Sequence, residues 1–208
     1  MTPALAERLT QSEQHTIWVH RLMGGLTTPL PADNRRQLAA AYWAAVIENH
    51  QAILLLTRAG SYGSARALIR PLFEGYIRGL WLRSGASDHE VDVARQDRFP
   101  TFARMIEAID VIGKVRGGGL SELNTAWWGQ MCSLTPPQFQ PLGSAAPSDS
   151  SQHNGDGMFE ALAWADWTLM QAVRGLGQVA GDAEIVRGAD EQLRVVFGTN
   201  TSPSALAV

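Results

Sequence analysis

The chain has 208 residues, 45% of them hydrophobic and 18% charged, which suits one domain with a substantial core. A net charge of −3 and a pI of about 5.9 exclude a global basic field, so any nucleic-acid contact has to be local. The single cysteine, Cys132, excludes an intramolecular disulfide and argues against a cysteine-based zinc site.

Apolar residues recur at helical spacing, alternating strand patterns are nearly absent, and no repeat is visible. The expected fold class is all-α, an antiparallel bundle of about six to seven helices. The domain is expected over 1–198, with a loose tail over 199–208. The first residues lack the basic-then-apolar build of a leader, and the run Ala52–Leu56 is far too short to span a bilayer. A cytoplasmic protein without membrane contact is therefore expected.

The first helix is expected over 4–24, on an irregular apolar face of Leu5, Leu9, Ile17, Val19, Leu22 and Met23, ended by Gly24-Gly25. Asp33 caps a second helix over 34–59, and Asp33-Asn34-Arg35-Arg36 reads as its solvated start. Its inward face reads Ala39, Trp43, Val46, Ile47, His50, Ile53, Leu54, Thr57, with His50 in the middle. Gly60 stops it. Ser61 or Ser64 opens a third helix to about Gly85, apolar around most of its circumference and so expected to be central. Pro71 should kink it, and Gly75 and Gly79 should let a neighbour come close. The tight link at Gly60 makes helices two and three an antiparallel hairpin.

Ser87-x-x-Glu90 is a capping box for a helix beginning near Asp88; Pro100 divides it from a second part over Phe102–Ile112. Gly117-Gly118-Gly119 reads as a hinge, and Ser121 as the cap of a short helix to about Ser133 that carries Trp127 and Trp128. Residues 134–156 form a long Pro/Ser-rich loop. Helices over 157–180 and 182–198 close the chain, with Trp164 and Trp167 on one face.

Chemistry concentrates on the third helix. Arg66, Arg70, Glu74 and Arg78 each advance by four residues and form one slanted stripe. Guanidinium forks suit phosphate or carboxylate, and Glu74 can pair with Arg70 and Arg78. The alternative is a structural salt-bridge row or a dimer contact. In the hairpin, His50 lies about ten residues before the turn and the residue opposite it is near Arg70, so a His50–Arg70–Glu74 cluster is geometrically reasonable. His50 itself reads either as a buried neutral histidine or as an acid/base or ligand-contacting one. No cofactor and no metal are expected.

The stretches Ala41-Tyr42-Trp43, His50 to Leu56, Gly63 to Glu74 and Arg78 to Leu82, with a looser match over Trp127–Thr135, resemble a bacterial family of helical proteins of unknown function. That family is similar in outline to HEPN-like bundles. Many of those dimerise and act as ribonucleases or partners in toxin–antitoxin and phage-defence systems, with an Arg-x4–6-His motif over the RNA backbone. The resemblance implies a homodimer and roles for Arg70 and Glu74. The motif is taken as absent here, and Pro136 of Ser133-Leu134-Thr135-Pro136 stands where a relative's histidine is expected. A proline side chain transfers no proton, so catalysis is disfavoured.

The leading expectation is thus a non-catalytic HEPN-like bundle that binds a partner protein or an anionic ligand, a nucleotide or RNA. Arg66, Arg70 and Arg78 hold the anion, Glu74 orients them and His50 supports them. One alternative is a metal-independent ribonuclease, with His50 as acid/base and Arg70 stabilising the phosphorane. Another is a structural homodimer.

Overall fold

A computed structural model describes residues 1–25, 32–116 and 150–197, with side chains over 1–25, 32–112 and 157–197. The helices are α1 (Pro3–Gly24), α2 (Asn34–Arg58), α3 (Tyr62–Ala67), α4 (Ile69–Ser84), α5 (Asp88–Ala94), α6 (Phe102–Arg116), α7 (Ser150–Ala180) and α8 (Ala183–Phe197). The protein is an all-α helical bundle, with no strand among the described residues. No helix among them is long and apolar enough to cross a membrane. The hinge at Gly117–Gly119, the helix expected over 121–133 with Trp127 and Trp128, Cys132 and the tail over 199–208 lie outside the described residues. So does the loop expected over 134–156 as far as residue 149. From Ser150 on the backbone is already helical. Extending a formed helix costs little per residue, so α7 runs further upstream than its polar sequence suggests.

The helix ends follow local chemistry. Thr2 Oγ1 accepts from Leu5 N, and Pro3 occupies the first turn, where a missing N–H costs nothing. Asp33 caps α2, and Ser87 with Glu90 forms the reciprocal capping box of α5. At the end of α2, Gly60 takes φ 75°, Gly60 N bonds Thr57 O, and Ser61 N bonds Leu56 O. This paired closure turns the chain sharply and uses the left-handed conformation that glycine tolerates. Gly181 takes φ 72° before α8, where Asp182 N bonds Gly177 O and Asp182 Oδ1 accepts from Glu184 N and Ile185 N.

The expected third helix is divided at Leu68. Pro71 has no N–H to offer the Ala67 carbonyl and its ring crowds that oxygen, so the ladder lapses one turn upstream and restarts with Pro71 in the first turn of α4. Arg35 corrects the reading of a wholly solvated start to α2. Its Nη1 donates to Leu82 O (2.8 Å) and Ala86 O (2.6 Å), and its Nη2 pairs with Asp88 (2.7 Å). One side chain therefore closes the C-terminal end of α4.

α2 packs most extensively on α4, as the hairpin requires, but α7 is the helix that touches α1, α2, α3, α4 and α8. Every residue from Ala161 to Met170 is buried. α7 therefore shares the centre of the bundle with the third helix of the sequence, whose α4 part touches α2, α6 and α7 as expected. Trp43 locks the three main helices together. Its ring lies against Gly79 of α4 and Gly175 of α7, where an added Cβ would come within 2.4 and 2.7 Å of it, and its Nε1 donates to Tyr76 O (3.3 Å). The close approach expected at Gly79 is thus filled by an indole.

Candidate functional site

Two polar constellations stand out, and they are separate. The first is a buried hub around Asp166, a fully enclosed carboxylate near the middle of α7. Its Oδ1 meets His50 Nε2 at 2.8 Å. Its Oδ2 accepts from Arg8 Nη2 and from Ser12 Oγ (2.8 Å). His15 Nδ1 stands 3.2 Å from Oδ2 without the alignment of a formed hydrogen bond. Thr16 Oγ1 lies 3.3 Å from His50 Nδ1. A ring that donates from Nε2 to Asp166 can accept from the Thr16 hydroxyl at Nδ1.

Arg8, Ser12, His15 and Thr16 fall on one face of α1 because they are spaced by three and four residues. That face is turned inward: Leu5, Arg8, Leu9, Ser12 and Val19 are buried, whereas Ile17 is 44% exposed. The apolar face of α1 is irregular in sequence because two of its five buried residues, Arg8 and Ser12, are polar. Burial works hardest against the charge of Asp166. The imidazoles of His15 and His50 and the Arg8 guanidinium outweigh it and hold the carboxyl well below its usual range. No group of three or more His, Cys, Asp or Glu side chains among the described residues is placed to hold a metal ion.

The second constellation is the arginine row. Arg70 Nε contacts Glu74 Oε1 at 2.8 Å, and Arg78 Nη2 lies 3.7 Å from Glu74 Oε2. The Arg78 guanidinium covers the rings of Tyr42 (5.8 Å) and Phe99 (5.1 Å), which fixes it by cation–π contact. The Arg70 side chain is half exposed and that of Glu74 largely covered, while Arg66 sits on α3 across the break at Leu68.

The structure does not bring His50 to this row. His50 is fully buried and bonded to Asp166 and Thr16, so the His50–Arg70–Glu74 cluster is replaced by a His50–Asp166 pair. α2 presents more than one face to its neighbours: Trp43 and Val46 approach α4, while His50 points to α1 and α7. Asp166 carries a signal of its own in the sequence. It is the only charged residue between Ala161 and Val173, and a lone acid in such a stretch must be paired when buried. The absence of an Arg-x4–6-His motif is also corrected. Arg8 and His15 are seven positions apart, an Arg-x6-His pair, and both sit at Asp166.

The family of unknown function DUF6988 matches residues 43–187. The chain belongs to this family. Trp43, His50, the whole arginine row and Asp166 fall within the DUF6988 match, whereas Arg8, Ser12 and His15 precede it. Neither a curated protein nor a solved structure matches the chain.

Proposed function

We propose that this DUF6988 protein is a non-catalytic binding module for an anionic ligand, a nucleotide or RNA, engaged by Arg66, Arg70 and Arg78. One observation carries the reading: Glu74 holds Arg70 at 2.8 Å and Arg78 at 3.7 Å on a partly exposed face, and two aromatic rings back Arg78. Guanidinium groups restrained in this way lose less freedom when they receive a phosphate fork. His50 leaves the site, since it is enclosed. The ligand class follows the likeness to HEPN-like bundles.

The test is fluorescence anisotropy with a labelled single-stranded RNA and a labelled nucleotide. The Arg70→Ala/Arg78→Ala double variant keeps its circular dichroism spectrum and loses at least tenfold in affinity. The slope of log affinity against log salt falls by about 0.7 per lost RNA phosphate contact. An unchanged affinity in the folded variant refutes the reading.

The convergence of Arg8 and His15 on Asp166 favours a second reading, a metal-independent ribonuclease. The His15 side chain keeps 12% of its surface exposed, and the Asp166 carboxylate stands 3.2 Å behind its imidazole. Here His15, not His50, is the acid/base. Cleavage of RNA by the wild type and its loss in His15→Ala supports this reading; a wild type inert towards a broad RNA set removes it.

A further inference from the structure

A small cleft opens between α4 and α7, away from both constellations. Tyr76 and Arg83 of α4 face Gln171, Arg174 and Gln178 of α7, with Trp43 beside them, around a space of about 40 Å³. At about 100° per residue, Glu74 and Arg78 lie roughly 160–200° around α4 from Tyr76, so the arginine row is on the opposite side of that helix.

We propose that this cleft binds a small tetrahedral oxyanion, a phosphate or the phosphate group of a small monoester, between Arg83 and Arg174. Two arginines line so small a space, and although Arg174 shares its charge with Asp190, an anion between them can meet both cations. Both are tethered beforehand. Arg174 Nε lies 2.8 Å from Asp190 Oδ1, and Arg83 Nε donates to Ser84 Oγ at 3.3 Å. Tethering reduces the ordering cost of gripping a ligand. Gln171 and Gln178 add carboxamide donors suited to phosphate oxygens. Both charges also act on the cleft wall: burial pushes the Tyr76 phenol up to about 12, and Arg174 and then Arg83 oppose that rise.

Size sets the ligand class. One water needs about 10–15 Å³ of such space, so the cleft takes about three waters or one tetrahedral oxyanion, and excludes a nucleobase. The site is therefore independent of the nucleotide or RNA reading above.

The experiment titrates the full chain with inorganic phosphate and, separately, methyl phosphate at low ionic strength. It follows the indole N–H resonance of Trp43, which hydrogen-bonds Tyr76 O beside the cleft, together with calorimetry. Saturable shifts of that resonance are expected. Arg174→Gln and Arg83→Gln should each weaken binding at least tenfold, and Arg70→Ala/Arg78→Ala should leave it unchanged. Tighter binding of methyl phosphate identifies a monoester as the source, and tighter binding of the inorganic ion a free phosphate. Neither ligand moving the Trp43 signal, or folded Arg174→Gln and Arg83→Gln binding as the wild type does, overturns the proposal. A loss only in the α4 row variant overturns it as well, and assigns the phosphate to that row.

Discussion

Replacing Asp166 by alanine removes the one acceptor shared by Arg8, Ser12 and His50. Ser12 keeps an alternative, since its hydroxyl also donates to Arg8 O at 3.1 Å. Arg8 does not fare as well. It is 8% exposed, and its remaining side-chain hydrogen bond among the described residues is a long one to Gln11 Oε1 at 3.4 Å. Stranding a buried guanidinium in this way costs about 3–5 kcal/mol, and the lost acceptor of the enclosed His50 pushes the value towards the upper end. For a domain of this size, that lowers the melting temperature by roughly 6–20 °C. Urea unfolding followed by circular dichroism measures it, with an unchanged slope expected. Arg8→Met/Asp166→Leu should lose less than Asp166→Ala, because no charge is then left unpaired. The pH dependence follows in sign. The folded carboxyl titrates below its ordinary value of 3.8, so its stabilisation is in place above that pH and is lost as pH falls through the acid range. Asp166→Asn should flatten that acid limb. An Asp166→Ala variant within about 1 kcal/mol of wild type would refute the claim that the hub carries a buried charge pair.

The remaining predictions test packing, turn geometry and the buried phenol. Gly79→Ala places a Cβ 2.4 Å from Trp43 Nε1, and Gly175 on the far side stops the ring from retreating. A net loss of roughly 1–2 kcal/mol is expected after the gain in helix propensity, with a changed near-ultraviolet spectrum; Gly63→Ala meets nothing within 4 Å and should be neutral or stabilising. Gly60→Ala also meets nothing, so its expected cost of about 1–2 kcal/mol in chemical denaturation comes from φ 75° alone. Tyr76 should resist ionisation until about pH 12 in an ultraviolet titration. Its stabilisation is complete below the ordinary value of 10.0 and is lost as pH rises towards 12, a loss that Tyr76→Phe should abolish.

Much of the architecture was legible because it is local. Asp33 and the Ser87–Glu90 box marked helix starts, Gly60 and Gly181 marked stops, and the spacing of Ala39, Trp43, Val46, His50 and Ile53 oriented α2. Caps, left-handed turns and amphipathic period act within a few residues, so the chain alone decides them. Glu74 with Arg70 is legible for the same reason, being one turn apart.

The Asp166 hub was not legible as a whole, because its members come from α1, α2 and α7 and lie up to 158 positions apart. Sequence alone determined that this chain is a helical bundle and that His50 turns inward. Only the tertiary packing decided what His50 meets there, since a helix buried between several neighbours has more than one inward face and local spacing does not say which neighbour each face receives.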